Sequence, residues 1–504
     1  MIDFSALSDA FSLLLSSWSP WIVVLPGLVI GLVAGAVPGV QLSMAMAIFL
    51  PATFAMDFLQ SMLFLTAIFT GGGFGSAVPA ILMNIPGTST AVATTFDGYP
   101  MARQGKHNQA LGIALGASTA GALFGYVYLF LLIDPIAAAV LRLGPTEYFV
   151  VVLWGLTLIA MLHSGSAVRG LLAGVIGLLV GTVGMSDLGV IRGTMGIPNL
   201  LDGVALVPAM IGLFAASSLF NLAGQTYLVE SETDRKLDFR AIINGFFDAF
   251  RYPRVLFRGS ICGALIGSVP GVGASISNLV SYAQTRRGDA DPSSFGKGNP
   301  KGVVAAESAN SSGEGGSLVT LLALGIPGGG GTAIMMAAFA MHNITGGPTF
   351  IRQQTDIVYA IILANFVQVV LLMVVGLLFI HALASVVKIP LRILAPSVLV
   401  LSTYGSYAFT GGMDGPLTVL VFGLLGWLLS RYGYSIPAFV VGLILGRMAE
   451  GEMLRSYQIS GGSFDYVLGR PVTLLLAALL LLSIVAPLIA GYLRTKSRAP
   501  QAAE

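Results

Sequence analysis

Residues 71–87 read GGGFGSAVPAILMNIPG, and residues 312–328 read SGEGGSLVTLLALGIPG. Each stretch lies in an apolar part of the chain and ends in Ile-Pro-Gly, and seven of the seventeen positions are identical. Proline lacks the backbone N–H and glycine allows a tight turn, so an apolar helix is expected to break at each point. Interrupted segments inside apolar runs are tolerated at membrane depth only where they are buried in protein or line a cavity.

A second pair of similar stretches precedes the first pair in the same order. GLVAGAVPGV at 31–40 and GALIGSVPGV at 263–272 share six of ten residues, and the two offsets are 232 and 241 residues. Chance does not readily produce two matches in the same order at such similar offsets, so the sequence predicts an internal duplication. We expect a first membrane repeat at 1–230, a basic cytoplasmic linker with an interfacial helix at 231–258, and a second membrane repeat at 259–504.

The composition places these repeats in lipid. Hydrophobic residues make up 55% of the 504 residues and charged residues only 10%, whereas globular chains average about 25% charged. Since a spanning helix needs about 20 apolar residues, the apolar runs predict an all-α polytopic membrane protein with about 11–13 transmembrane segments. A net charge of +2 argues against nucleic-acid binding. One cysteine and four scattered histidines argue against a cluster of Cys and His metal ligands.

The two repeats are expected to be inverted relative to each other. About seven apolar segments fall between residues 18 and 223, and an odd number of crossings turns the second repeat over. The first repeat begins with Asp3 and Asp9 and no basic residue, whereas six Lys and Arg residues between 235 and 258 precede the second, which indicates a cytoplasmic entry there. The basic residues between 286 and 301 argue against this orientation, because they would then lie outside.

The two broken segments supply the candidate substrate site. After each break the chain can restart as a half-helix whose first N–H groups carry partial positive charge, which suits an anion. Paired breaks at corresponding places in two repeats point to a transport site; a proline kink with close glycine packing is the alternative. The candidate substrate-binding residues are Asn84, Pro86, Gly87, Thr88, Ser89 and Thr90 in the first segment and Pro327, Gly328, Gly329, Gly330, Gly331 and Thr332 in the second.

A polar run before the second break supplies the candidate cation site. Glu307 and Glu314 lie seven residues apart, on roughly one helix face. A carboxylate within the bilayer costs about 3 kcal/mol, so it is expected to face a cavity and bind Na⁺ or relay protons. Alternatively, Glu307 is a solvated or capping charge, and the serines before each break satisfy backbone groups. The candidate cation-coupling residues are Glu314, Asn310, Ser311, Ser312, Glu307, Ser76 and Ser317, with Na⁺ as the candidate metal ion.

The GxxxGxxPG stretches predict close helix packing followed by a break. Their candidate hinge and packing residues are Gly35, Pro38 and Gly39 in the first copy and Gly267, Pro270 and Gly271 in the second. Coordination of a cation by carbonyls freed at the break is the alternative.

The run NIPGTSTAVATTFDGYPMARQGKHNQALGIA (84–114) and the run GEGGSLVTLLALGIPGGGGTAIMMAAF (313–339) resemble the signatures of the large membrane subunit of tripartite tricarboxylate transporters, the TctA family. The resemblance implies a multi-pass secondary active transporter of the bacterial inner membrane. It also implies a small membrane partner subunit and a periplasmic substrate-binding protein. The implied reaction is symport of citrate or another carboxylate, including dicarboxylates and aromatic acids, with Na⁺ or H⁺ and without ATP or a cofactor.

Two other classes of function are less consistent with the sequence. An ion or solute channel would need a filter of repeated carbonyls, and no TVGYG-like run is present. An intramembrane enzyme would need a nucleophile with supporting groups. The sequence has no GxSxG elbow, and no acid near His163-Ser164 completes a catalytic set. We therefore expect a transporter and not an enzyme.

Overall fold

A computed structural model describes residues 4–37, 40–161, 167–186, 189–217, 219, 237–270, 273–386, 391–463 and 469–498. Nearly all regular structure in these residues is helical. The strands among them are Gly184–Met185 and Ile191–Arg192, which pair antiparallel as a short hairpin. The structure confirms the predicted all-α class. Pro38, Gly39 and Gly271 lie outside the described residues.

The helices are numbered in chain order. Those before residue 220 are α1 (Phe4–Leu15), α2 (Ser19–Ile22), α3 (Val24–Ala36), α4 (Leu42–Phe49), α5 (Phe58–Gly75), α6 (Ala77–Met83), α7 (Val92–Arg103), α8 (His107–Val140), α9 (Pro145–Met161), α10 (Ala167–Gly181) and α11 (Leu206–Met210). Those after residue 236 are α12 (Phe239–Asp248), α13 (Pro253–Gly267), α14 (Gly273–Arg287), α15 (Pro300–Val319), α16 (Gly330–Met341), α17 (Pro348–Gln353), α18 (Thr355–Val386), α19 (Leu391–Thr410), α20 (Asp414–Arg431), α21 (Ile436–Ile459) and α22 (Pro471–Arg498).

Several helical segments are apolar enough to lie in lipid. In the part of the chain that the structure describes, four are long enough to cross a membrane by length and composition, namely Ser19–Ala36, Phe58–Met83, His107–Val140 and Thr355–Ile380. Shorter apolar helices accompany them, and large apolar side chains such as Leu131 and Leu378 are exposed, as expected for a surface that faces lipid. The higher expected number of about 11–13 crossings includes shorter apolar segments of this kind.

The chain folds into two compact units. The larger unit contains Met1–Ala138 and Val207–Trp427, and the smaller contains Ala139–Leu206 and Leu428–Glu504. This division differs from the division into sequence repeats at 1–230 and 259–504. The repeat boundaries and the inverted orientation therefore stay predictions.

Within the larger unit, the same helix packing occurs twice. Both α3 and α13 carry glycines at every fourth position, and each glycine faces a backbone carbonyl of a longer helix, α5 or α15. A Cβ on Gly31 would lie 2.2 Å from the Ile68 carbonyl oxygen, and a Cβ on Gly263 would lie 2.2 Å from that of Ala309. The next glycines along, Gly35 and Gly267, face Gly72 and Gly313 at 2.5 and 2.4 Å in the same way. Gly35 and Gly267 thus each lie directly against the backbone of a broken helix.

The helix predicted for the linker is present as α12. Phe246 is buried and Phe247 is exposed, so this helix has one face packed in the protein and one face at its surface. The buried face packs on the start of α8, where a Cβ on Gly245 would lie 2.5 Å from the Gln109 carbonyl oxygen. Gln109 also donates from Nε2 to Oδ2 of Asp248 at 2.7 Å. The interfacial and cytoplasmic placement of this helix stays a prediction.

The smaller unit is held together by close packing of α10 on α21. A Cβ on Gly177 would lie 2.0 Å from the Phe439 carbonyl oxygen, so the helix backbones are in direct contact. The buried Glu147 carboxylate accepts from Nε of Arg470 at 2.5 Å and from the hydroxyl of Thr473 at 2.7 Å. These contacts connect α9 to α22 within this unit.

Candidate substrate and cation site

The first corner comprises residues 84–91, between α6 and α7. Asn84 ends α6 in the left-handed conformation, with φ 60° and ψ 24°. Pro86 and Gly87 follow, and the Gly87 N–H donates to the Ser76 carbonyl at 3.2 Å. A Cβ on Gly87 would lie 2.0 Å from the Gly35 carbonyl oxygen, so this turn has room only for glycine. Thr88 is extended, and the chain restarts as a short 3₁₀ turn at Ser89 that leads into α7.

The second corner comprises residues 325–332, between the π-helical end of α15 and the start of α16. Gly325 has φ 67° and ψ 24°, the same conformation as Asn84. Pro327 and Gly328 follow, and a Cβ on Gly328 would lie 2.8 Å from the Ser317 Cα. At the equivalent place in the first corner, a Cβ on Gly87 would lie 2.8 Å from the Ser76 Cα. The two predicted breaks therefore have matching backbone geometry.

The broken helices α5 and α15 meet at equivalent positions of the two repeats. Gly73 and Glu314 are 241 residues apart, the offset of the second repeat signature. A Cβ on Gly73 would lie 2.2 Å from Oε1 of Glu314, and Nδ2 of Asn310 donates to the Gly73 carbonyl at 3.2 Å. Ser76 and Ser317, on which the corners pack, come three residues later, about 4.5 Å further along each helix. Both corners thus lie about one helical turn from this contact.

Glu314 is buried at the contact between the two helices. It is 2% exposed, and its Oε2 has no hydrogen-bond partner among the described residues. The hydroxyl of Thr70 faces the Glu314 carboxylate and lies 2.7 Å from the hydroxyl of Tyr126 on α8. A buried carboxylate with an unsatisfied oxygen is costly unless a proton or cation occupies it. The structure therefore puts Glu314 beside the Gly73 carbonyl, to which Asn310 donates, in a position suited to cation binding.

Glu307 lies two helical turns earlier on the same helix, and the Asn310 side chain faces its carboxylate. It is fully buried, and its carboxylate accepts from the Thr94 hydroxyl and, at 3.0 Å, from the Ser118 hydroxyl. It is thus not a solvated surface charge, which was one of the two alternatives. Both carboxylate oxygens accept a hydrogen bond, so Glu307 is better suited than Glu314 to a structural role or to the relay of a proton.

The serines before the breaks satisfy backbone groups. The Ser76 hydroxyl donates to the Gly73 carbonyl at 2.8 Å, and the Ser317 hydroxyl donates to the Gly313 carbonyl at 2.9 Å. Ser311 is buried, and Ser312 lies against Gly263 of α13, where it donates to the Ala309 carbonyl at 3.4 Å. Of the residues predicted for the cation site, the structure thus brings Asn310 to the Glu307 carboxylate and to the Gly73 carbonyl beside Glu314. It assigns the hydroxyls of Ser76, Ser312 and Ser317 to backbone carbonyls.

The two corners differ in polarity where they contact the other repeat. At the first corner, Nδ2 of Asn278 on α14 donates to the Thr90 carbonyl, and Oδ1 of this fully buried side chain has no partner among the described residues. The equivalent position in the second corner is Gly331. A Cβ there would lie 3.2 Å from Sδ of Met46 on α4, the residue equivalent to Asn278, and 2.7 Å from the Phe69 ring. Thr90 in the first corner therefore contacts an amide, whereas its equivalent in the second corner, Gly331, faces apolar side chains.

The threonines show the same difference. The hydroxyl oxygens of Thr88 and Thr90 lie 2.8 Å apart and form one hydrogen bond. That bond uses the hydrogen of one hydroxyl, and the hydrogen of the other remains to donate. At the second corner, the Thr332 hydroxyl accepts from the Gly329 N–H at 2.9 Å and donates to the Gly329 carbonyl at 3.0 Å. Thr332 therefore caps its own helix, whereas the first corner retains a hydroxyl donor.

The segments that build the site carry no basic side chain. Residues 4–102, 259–285 and 302–341 contain no Lys, Arg or His. The positive groups that they can offer an anion are backbone N–H groups at the starts of α7 and α16. A bound anion would therefore be neutralised mainly by helix ends and by a cation bound with it.

Asp97 has a structural role that the sequence did not reveal. Its Oδ1 accepts from the backbone N–H groups of Gly296 and Gly298 at 2.9 Å and of Asn299 at 2.8 Å. Its Oδ2 accepts from the Tyr282 hydroxyl at 2.9 Å. The carboxylate thereby anchors the loop before α15 to α7. The only signal in the sequence was the position of Asp97 within the run 84–114, and the loop that it holds is about 200 residues away.

Four other polar residues of the site could not be identified from the sequence. Thr70, Thr94, Ser118 and Tyr126 come from three different helices and face Glu307 or Glu314 only in the folded chain. Tyr126 is the most distinctive, because it is a fully buried tyrosine in a 34-residue apolar helix. Its hydroxyl needs a polar partner there, which was the signal that could have identified it.

These features define a polytopic membrane protein whose paired broken helices meet at a buried carboxylate. The family model described as "Tripartite tricarboxylate transporter TctA family" matches residues 21–441, which is most of the chain, so the chain belongs to this family. The family is one of transporters that work as tripartite systems, which include a small membrane subunit and a periplasmic binding protein.

Two similar proteins come from Agrobacterium vitis. An uncharacterised 52.8 kDa protein in the TAR-I ttuC' 3' region is 31% identical over 468 residues, which cover 92% of this chain and 92% of the relative. An uncharacterised protein in the TAR-II ttuC' 3' region is 30% identical over 227 residues, which cover 45% of this chain and 94% of the relative. No solved structure matches the chain.

Proposed function

We propose that this chain carries out secondary active uptake of an organic carboxylate across the bacterial inner membrane. The observation that carries the proposal is the pair of Pro-Gly corners with matching backbone geometry, each about one helical turn from the contact between Gly73 and Glu314. Half-helix starts at corresponding places in two repeats are the arrangement by which transporters hold anionic substrates. The start of α7 and the start of α16 are the proposed anion-binding groups.

The absence of basic residues from the site segments supports coupling to a cation. A carboxylate and the buried Glu314 would together leave at least two negative charges in a region without Lys, Arg or His. Na⁺ or H⁺ bound at Glu314 removes one of these charges, so anion binding and cation binding favour each other. This mutual dependence is the physical basis of symport, with the gradient of the cation as the source of free energy.

The remaining parts of the proposal follow from the family. A periplasmic protein delivers the substrate, and a small membrane subunit completes the transporter. Alternating access then moves the corners from one side of the membrane to the other. Citrate is the substrate class that the family name suggests, and other organic acids are alternatives.

Transport by the reconstituted system tests the proposal. The chain and its small membrane subunit are placed in proteoliposomes, and labelled carboxylates are supplied with the periplasmic protein under a Na⁺ or a pH gradient. We expect saturable accumulation that needs the periplasmic protein and one of the gradients. Failure of every tested acid to accumulate under either gradient, or unitary currents without saturation, would contradict the proposal.

A further inference from the structure

We propose that the substrate is a monocarboxylate with an apolar, uncharged remainder, whose carboxylate binds at the first corner beside Asn278 while the remainder extends toward the second corner. This inference rests on the proposed function, because it assumes that the two corners hold one substrate. It assigns a substrate-binding role to Asn278, a residue of α14 outside the broken segments.

The first corner offers hydrogen-bond donors to a carboxylate. One hydroxyl hydrogen of the Thr88–Thr90 pair remains after their mutual contact. The Asn278 amide has a second N–H besides the one donated to the Thr90 carbonyl. Its Oδ1 is buried and has no partner among the described residues, so the side chain is only partly satisfied without a ligand. With the backbone N–H groups at the start of α7, these groups can satisfy one carboxylate.

The second corner offers little to a second carboxylate. Gly331, at the position equivalent to Thr90, faces the Phe69 ring and the sulfur of Met46. The Thr332 hydroxyl is occupied by both backbone groups of Gly329. A Cβ on Gly330 would lie 3.0 and 3.2 Å from Cβ and Oγ of Ser43 and 3.9 Å from the Phe214 ring, so one hydroxyl lies among the apolar neighbours of this corner. Apolar neighbours of this kind favour an aliphatic or aromatic group over a charged one.

The charge balance also favours a monoanion. A tricarboxylate brings up to three negative charges to segments in which residues 4–102, 259–285 and 302–341 supply no basic side chain. Two helix starts together carry roughly one positive charge, about half a charge each. One bound cation at Glu314 offsets that carboxylate and leaves the helix starts for a single carboxylate of the substrate.

A binding screen on the purified full-length chain in detergent tests the inference directly. The ligand-dependent rise in Tm is measured for benzoate and 3-methylbutanoate, for succinate and for citrate, each with and without Na⁺, and it is converted to an apparent affinity. We expect at least one of the two monocarboxylates to bind about tenfold more tightly than succinate and citrate. Tighter binding of succinate or citrate would overturn the inference and leave carboxylate transport intact. If none of the acids binds, even with Na⁺, both the inference and the proposed function fail.

Variants at the two equivalent positions separate specificity from folding. Asn278→Leu is expected to weaken monocarboxylate binding about tenfold, since it removes a donor that the charged ligand uses. Ser281→Ala is the matched control on the same helix as Asn278. It removes a hydroxyl that donates to the Ala305 carbonyl of α15, and the variant should bind normally. Met46→Asn is expected to strengthen the binding of succinate relative to that of the monocarboxylates. The ratio of these two affinities is measured within one protein preparation. Unchanged binding in Asn278→Leu, or an unchanged ratio in Met46→Asn, would contradict the assignment.

Discussion

Gly73 and Glu314 occupy equivalent positions in the two copies of the repeat and contact each other, with Oε1 of Glu314 in the space that a side chain on Gly73 would fill. If both positions carried glutamate, two carboxylates would compete for one small volume and repel each other. Only one of the two equivalent positions carries a carboxylate, and the other supplies only the space. The proposed cation site is therefore single, although the two corners beside it are paired.

Neutralising Glu314 separates substrate exchange from net uptake. Glu314→Gln resembles the protonated or cation-bound form, so the variant can still move substrate in both directions but cannot exploit a cation gradient. We expect gradient-driven accumulation to fall at least tenfold, roughly 1.4 kcal/mol of lost coupling, while counterflow of substrate persists. The measurement compares the two assays in the same proteoliposomes.

A matched control for this variant is Glu452→Gln in the smaller unit. Glu452 pairs with Arg455 at 2.9 Å on a partly exposed helix face, so its loss should change neither assay. Normal accumulation by Glu314→Gln under both a Na⁺ and a pH gradient would remove Glu314 from the coupling mechanism.

The two corner glycines admit no side chain. A Cβ on Gly87 would lie 2.0 Å from the Gly35 carbonyl oxygen, and a Cβ on Gly328 would lie 2.8 Å from the Ser317 Cα. We expect Gly87→Val and Gly328→Val to abolish uptake while the chain still inserts, because the corner must move away from the helix on which it packs. Membrane content by immunoblot and uptake of labelled substrate are measured together.

Gly346→Ala, where the nearest heavy atom would be 3.6 Å from the new Cβ, is the control. Normal uptake by both valine variants would exclude the corners as the site.

The left-handed residues at the corners give a prediction about stability. Asn84 and Gly325 have nearly the same φ and ψ, and asparagine is one of the few residues that tolerate this conformation. Asn84→Val should lower the free energy of unfolding by about 1–2 kcal/mol, whereas Asn84→Gly should be neutral. Thermal unfolding in detergent measures both variants. An equal Tm for the valine and glycine variants would show that the left-handed geometry is not retained.

Much of the backbone of the site could be predicted from the sequence because its signals are local and occur twice. Proline and glycine break an apolar helix wherever they occur, so the corners at Pro86-Gly87 and Pro327-Gly328 were predictable, as was the packing by Gly35 and Gly267. The family relationship was also recognisable from the runs around the corners, and the family match confirms it.

The partners of the polar side chains could not be predicted, because they depend on how distant helices are placed. Asn278 follows Pro270-Gly271 in the second repeat yet contacts Thr90 in the first, and Met46 of the first repeat lies beside Gly331 in the second. Each half-helix therefore packs on the other repeat. A sequence pattern fixes which residues share a helix face, but it does not specify this exchange between repeats.

Removing the Asp97 carboxylate should release the loop before α15. Asp97 accepts three backbone N–H groups and the Tyr282 hydroxyl, and its loss leaves these donors without an acceptor. We expect Asp97→Ala to lower the free energy of unfolding by roughly 3 kcal/mol, since hydrogen bonds to a charged group are strong and unsatisfied buried donors are costly. Limited proteolysis should cut the segment between residues 288 and 299 at least tenfold faster than in the unmodified chain.

A control in the same loop distinguishes this anchor from a surface charge. Asp289 lies near the protein surface, and its ion pair with Lys301, with Oδ2 and Nζ 2.6 Å apart, holds the pKa of Asp289 below its usual value. Its contribution to stability is therefore present at neutral pH and is lost as the pH falls through that lowered pKa. Asp289→Asn should change stability by less than about 1 kcal/mol at neutral pH, as surface pairs do. Equal protease sensitivity of Asp97→Ala and Asp289→Asn would show that Asp97 does not hold the loop, because only the Asp97 carboxylate joins three of the loop's backbone N–H groups to α7.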